Sequence, residues 1–328
     1  MNNYLQGRPS LNVSEQTQIL YSLSRLAFQA GADDRAASYQ QRAVQKAQEN
    51  APPSNDPGPL AKALSAANRS DFAGALSFAM QALAGTPQSP ASVYTLNQLM
   101  DLSAQLAAAN RADLGDQLYV SVLAAAESWS VDTMQPLLSV LHQRADFLLV
   151  HQLWPEAQPV IERYRDALAV AYAAESGRAQ EGLHLQIRLD EGRKLWPRAV
   201  VEAQDLLANQ AALNGTKSAD YYGALEIAAG VYESSGNPEA ALPLFRQQVQ
   251  VADRIFGKNE RACVRVNASS SLARAGQFEE AERLASEAAA LLPAYATYAT
   301  HLDAIRLMKT GGPQVGLTGC GFGGTFFE

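Results

Sequence analysis

A small residue returns every 39 to 42 positions along this chain, each time five places after a loop residue: Ala36, Ala75, Asp116, Ala157, Ala199, Ala241 and Ala281. Self-similarity at this period marks a repeat architecture. Each unit is one supersecondary element that buries its apolar face only by stacking on its neighbours. For 328 residues the ordinary alternative is two globular domains, and the repeat argues against it.

Two further positional rules run in step with the first. The loop residues are Gly31, Ser70, Arg111, Gln152, Lys194, Gly236 and Gly276, and glycine there suits the left-handed cap of a helix. Two places later an aromatic ring often opens the next helix, at Phe72, Trp154, Trp196 and Phe278. Seven places before the loop the residue is small: Ser24, Ala63, Ala104, Ala145, Ala229 and Ser269, with Ile187 the exception. Small residues on facing helices allow close approach, so each unit reads as a helix A, a tight turn and an antiparallel helix B.

Composition supports that reading. Hydrophobic residues make up 47% of the chain, enough for a continuous core. Alanine is abundant, and it loses no side-chain entropy in a helix. The net charge of −7, with basic residues interleaved among acidic ones, excludes the basic stripe that phosphate backbones require. Two cysteines, Cys263 and Cys320, make neither a disulfide framework nor a zinc pattern. The segment Met1–Gln6 lacks a charged-then-apolar signal pattern, and no apolar run reaches membrane-spanning length, so a cytoplasmic location is expected.

The segments 236–245 and 276–284, Gly-Asn-Pro-Glu-Ala-Ala-Leu-Pro-Leu-Phe and Gly-Gln-Phe-Glu-Glu-Ala-Glu-Arg-Leu, resemble the turn and helix B of tetratricopeptide repeats. The longer period resembles the kinesin light chain-like variety. The resemblance implies an all-α, right-handed α-α superhelical solenoid of about seven helical hairpins with a C-terminal capping helix. The expected division is an N-terminal arm at 1–13, a solenoid at 14–291, a capping helix at 292–310 and a Gly/Cys/Phe-rich tail at 311–328. Helices are expected at 14–30 and 33–49, then, beyond a proline-rich break at 51–59, in hairpins from 59 to 291. That break reads as an inter-repeat loop, with a hinge as the alternative. Asp116 and Ile187 are expected to distort their units. The last helix is expected to begin at Pro293 and to turn His301, Asp303, Arg306 and Lys309 outward as a polar cap.

In the resembled family helix A lines the concave groove. Counting back from each loop projects Arg25, Asp101, His142, Asp146, His184, Arg188, Glu226, Asn267, Ser270 and Arg274 onto that surface. Asn267 matches the asparagine with which kinesin-light-chain-like repeats hold a peptide backbone. A polar groove of mixed sign suits an extended peptide or a partner helix. His142 and His184 occupy equivalent positions in successive units. The histidines show no H-E-x-x-H spacing, and neither G-x-S-x-G nor a P-loop is present, so no enzyme, metal or cofactor is expected.

The tail is foreign to the rest. It carries Cys320, Phe322, Phe326 and Phe327 among seven glycines. Its readings are a disordered terminus, a docking motif, or the substrate of a modifying enzyme for which the solenoid is the carrier. The expected function is a non-catalytic scaffold or adaptor that holds a protein or peptide segment in its groove. The alternatives are that modified carrier and a peptide-responsive regulatory sensor. Neither nucleic acid nor membrane is an expected partner.

Overall fold

The computed structural model describes residues 58–86, 93–128, 134–172, 179–312 and 317, with Leu20, Leu23, Ser38, Tyr39 and Arg42 from the preceding segment. Among the described residues the protein is all-α, with thirteen helices: α1 (Pro59–Asn68), α2 (Phe72–Ala84), α3 (Val93–Ala108), α4 (Ala112–Glu127), α5 (Met134–Val150), α6 (Trp154–Ala171), α7 (Ala179–Gly192), α8 (Trp196–Asn214), α9 (Ala219–Ser234), α10 (Pro238–Ile255), α11 (Lys258–Arg274), α12 (Phe278–Leu291) and α13 (Ala296–Lys309). The expected helices at 14–30 and 33–49 fall almost wholly outside the described residues. The chain divides into two compact units, Met1–Phe147 and Leu148–Glu328.

One local design makes every hairpin. Helix A ends on a residue in the left-handed region, the next residue is the N-cap, and helix B starts one residue on. The left-handed residues are Ser70, Asn110, Gln152, Lys194, Gly236 and Gly276. Asp71 accepts a hydrogen bond from the Gly74 amide at 2.9 Å, which satisfies an amide that has no partner within α2. Asn237 does the same for Ala240 at the start of α10.

The third turn corrects the sequence reading. Asn110, with φ of 63°, is the left-handed residue, and Arg111 is the N-cap of α4. Asparagine enters this region more readily than arginine because its short polar side chain bonds locally. The whole unit therefore shifts by one residue. Gly115, not Asp116, holds the small position five places on, and a Cβ at Gly115 would lie 2.7 Å from the Ser103 carbonyl oxygen. Ser103, fully buried, replaces Ala104 as the small partner on α3, while Ala104 faces solvent. Asp116 is no intruder in the hairpin; it pairs with Arg144 of α5 at 3.0 Å. Ile187 is also accommodated, fully buried against Ala199, Ala203 and Leu206 of α8.

In the first unit α1 packs on α2 and α3 on α4. Ala63, Ala66, Ala75 and Ala79 are fully buried, so α1 and α2 meet almost backbone to backbone. Tyr119 of α4 stacks on Phe147 of α5 with ring centroids 5.0 Å apart.

In the second unit the hairpins α7/α8, α9/α10 and α11/α12 follow α6, and α13 packs on α12 and α11. The aromatic at the head of helix B is a wedge, as at Trp154: a Cβ on Gly192 of α7 would fall 2.4 Å from its ring. Only glycine admits that approach. Helices A and B differ in kind. Helix α11 is buried from Ala262 to Val266 and again from Ala268 to Ala273, whereas α10 and α12 bury one face and expose the other.

The cap departs from expectation in two ways. It begins at Ala296, because α12 ends at Leu291 and residues 292–295 form a turn closed by the Tyr295 amide on the Leu292 carbonyl at 3.0 Å. His301 does not face outward: it is 2% exposed, with its Nε2 2.9 Å from Ser269 Oγ on α11. The Ser269 hydroxyl donates to the Val266 carbonyl, so the imidazole Nε2–H is the donor to Ser269. Burial pushes the imidazole pKa down. Asp303, Arg306 and Lys309 do face solvent, and Arg306 and Lys309 both reach Glu282 of α12.

Candidate functional site

Because the A helices of the second unit are enclosed, most of what they show to solvent is a single stripe. On α7 it runs Glu181, His184, Arg188 and Glu191; on α9, Glu226, Gly230 and Glu233; on α11, Asn267 and Arg274. The spacing of three, four and seven residues is one face of a helix. The stripes of α9 and α11 are joined across the helices, since Arg274 Nη2 lies 3.4 Å from Glu233 Oε1. Arg274 also donates to Ser271 Oγ at 3.1 Å.

The sequence-derived candidates divide accordingly. His184, Arg188, Glu226, Asn267 and Arg274 all stand on these stripes, in one unit. Ser270 is buried, and its hydroxyl donates to the Val266 carbonyl of its own helix at 2.9 Å. Asp101, His142 and Asp146 belong to the first unit, where the charges of Asp101 and Asp146, added to burial, push the Tyr119 hydroxyl pKa up. With the third turn at Asn110, Met100 takes the register from which Asp101 was projected. Arg25 and the tail residues Cys320, Phe322, Phe326 and Phe327 lie outside the described residues.

The stripes hold partly desolvated carboxyls. Glu226 is open to solvent, yet the protein around it removes enough water to push its carboxyl pKa up. Desolvation raises Glu191 likewise, and Arg188 opposes the shift. Tyr222, one turn before Glu226, is buried, and its hydroxyl pKa is raised by that burial and then by Glu226 and Cys263. Cys263 is a buried thiol on α11.

A carboxyl pair between α7 and α8 escaped the sequence reading. Asp190 is fully buried and Glu202 partly so; Arg198 Nε approaches Asp190 Oδ2 at 3.1 Å and Arg198 Nη2 approaches Glu202 Oε1 at 3.6 Å. Gln186 donates to the other Asp190 oxygen at 3.3 Å. Burial first, and then the charge and hydrogen bond of Asp190, raise Glu202 to about 7, against the opposing charges of Arg198 and Arg165. A proton on Glu202 shared with Asp190 gives its buried Oε2 the partner it otherwise lacks.

No family model and no curated protein matches this sequence. Solved structures do. A kinesin light chain from Podosopora anserina with nearly identical TPR-like repeats aligns with TM-score 0.51 at 17% identity, over 61% of this chain and 95% of that one. BtubC from P. vanneervenii aligns with TM-score 0.55 at 16% identity, over 73% of this chain and 92% of that one. A Rap protein complexed with competence and sporulation factor aligns with TM-score 0.53 at 13% identity, over 91% of this chain and 82% of that one. These likenesses are of fold, and the fold is that of a TPR-like, all-α helical-repeat solenoid. Among the described residues no helix is long and apolar enough to cross a membrane.

Proposed function

We propose that the protein is a non-catalytic scaffold, working in the cytoplasm, that holds a peptide or a partner's extended segment along the A-helix stripes of its second unit. One observation carries this reading. Helices enclosed on nearly all sides keep a solvent-facing stripe of His184, Arg188, Glu226, Asn267 and Arg274, side chains that hydrogen-bond and carry both charges. A rigid helix presents such groups at fixed intervals, which is what recognition of an extended segment requires. A solved neighbour of like fold, the Rap protein, is complexed with competence and sporulation factor. That a repeat body of this kind carries a bound factor supports the reading.

We further propose the division of labour expected above: an arm at 1–13, a repeat body at 14–291, a cap at 292–310 and a tail at 311–328 that docks as a second element. Leu317 supports the last assignment, because it packs against the apolar cluster of α11, α12 and α13 that includes Leu272, Leu302 and Ile305. The test is capture of partners from the native host's lysate by the full chain and by a chain lacking residues 311–328, with identification by mass spectrometry. A partner retained without the tail is the expected result. A partner lost with the tail would move recognition from the stripes to residues 311–328.

A further inference from the structure

Glu226 stands apart from the other charged side chains of the stripes. Glu233 is engaged by Arg274, and Glu191 has Arg188 nearby. Among the described residues Glu226 has no hydrogen-bond or ion-pair partner; the charge effect recorded for it falls on Tyr222, and it is unfavourable. A surface carboxylate without a partner is ordinary when water surrounds it. Here the surrounding protein withholds part of that water, so the ionised form is less fully hydrated than on an open surface and has no counter-charge to compensate.

The space beside it is also unusual. One turn on from Glu226, on the same stripe, stands Gly230, half-buried inside a helix where glycine costs stability. A Cβ there would meet no atom within 4 Å. At three other helical glycines the opposite holds: a Cβ would strike Trp154 at Gly192, Arg165 at Gly182 and the Ser103 carbonyl at Gly115, so packing explains those glycines. It does not explain Gly230, which leaves an open notch in the wall directly beside the unpartnered carboxyl.

We propose that Glu226 and the notch at Gly230 form a subsite for a basic side chain, lysine or arginine, of the peptide segment bound along the stripes. This deepens the scaffold reading and rests on it. The complementarity is of charge and of shape. The stem of a lysine or arginine fills the notch, and its head meets the carboxylate in a charge-assisted hydrogen bond that water there supplies poorly. Glu233 and Arg274 flank the site as a pair already satisfied, which leaves Glu226 as the group that selects.

The test selects binders to the full chain from a displayed library of random peptides of fixed length. The same selection is run on E226Q, on G230L, and on E239Q, a control at an exposed carboxyl on α10. Expected is enrichment of lysine or arginine at one position of the binders, kept with E239Q and lost with both E226Q and G230L. A selected peptide should then bind E226Q about tenfold more weakly. G230L places a better helix former in a helix interior, where its Cβ meets no atom within 4 Å, and an unfolding midpoint at or above the parent's shows that its loss of binding does not reflect unfolding. Should binders emerge with no basic position, or with one that E226Q leaves intact, this subsite is wrong while the scaffold reading stands. Failure of the full chain to select any peptide would overturn both.

Discussion

The turn between helices A and B is decided at one residue. Gly236 and Gly276 take a positive φ at no steric cost, but Ser70, Asn110, Gln152 and Lys194 take it with a Cβ in place. For an L residue this conformation costs roughly 1–2 kcal/mol, and only a short polar side chain offsets part of that. Lys194 has the side chain least suited to its position. Lys194→Gly should therefore stabilise the protein, by about 0.5–1 kcal/mol once the greater freedom of glycine in the unfolded chain is counted. Gly236→Ala should destabilise it by about 1 kcal/mol. Urea unfolding of the two variants beside the parent checks both signs. A loss of stability in Lys194→Gly would mean that the lysine side chain, not the backbone, governs the turn. The same chemistry explains the misplaced third turn. The sequence offers Asn110 and Arg111 side by side, and only their intrinsic tolerance of the left-handed region separates them.

At the scale of the element, helices were largely legible because their ends are marked. Within the hairpins expected from 59 to 291, α8 and α10 start at Trp196 and Pro238, two residues after the turn residues Lys194 and Gly236. Both starts carry a proline in the first turn, and α10 adds the capping Asn237. Packing partners were less legible. His301, Ile305 and Met308 share one face of α13 by spacing alone, so the burial of His301 could have been read, but its serine on α11 could not. The Asp190–Glu202 pair depends on how α7 lies against α8, which no local pattern states.

These two buried groups give pH dependences of opposite sign. Glu202 is raised, so between its ordinary value of 4.5 and about 7 the folded chain holds more protons than the unfolded one. Its stabilising contribution is whole below that range and is lost as pH rises through about 7. His301 is depressed, so the unfolded chain takes the proton first as pH falls through 6.5. Its contribution is whole above that value and is lost on further acidification. Hydrogen exchange resolved by helix should show α7 and α8 loosening as pH rises from 5 to 8, roughly the span set by these groups. It should show α13 loosening as pH falls below that of free imidazole. Glu202→Gln keeps a hydrogen-bond donor and should flatten the first trend alone. Unchanged exchange in α7 and α8 across that span would show that the pair does not share a proton.

For the molecule as a whole, the repeat decides what surface there is to use. In the second unit the hairpins enclose most of each A helix and expose one face of each B helix, so that unit offers stripes on its A helices and one-sided B helices. The repeat period announced the enclosure. The stripe residues His184, Arg188, Glu226, Asn267 and Arg274 were legible too, because counting back from each turn follows the helical period faithfully. The notch at Gly230 was not, since a glycine in sequence looks the same whether it relieves a clash or leaves a space. Ser270 was on the right face, but the hydroxyl is spent on its own helix.

Recognition along the A-helix stripes is the central claim, and paired charge reversal tests it most directly. Arg188→Glu with Arg274→Glu alters the stripes; Arg163→Glu with Arg254→Glu makes the same change in net charge on exposed positions of the B helices α6 and α10. Binding of one captured partner is then measured against both double variants and the parent at a fixed salt concentration. The account predicts at least about a tenfold loss for the stripe variant and nearly none for the B-helix one, as expected for charge-assisted contacts removed from one surface only. Binding that survives reversal of the stripes but fails on reversal of the B-helix positions would contradict it.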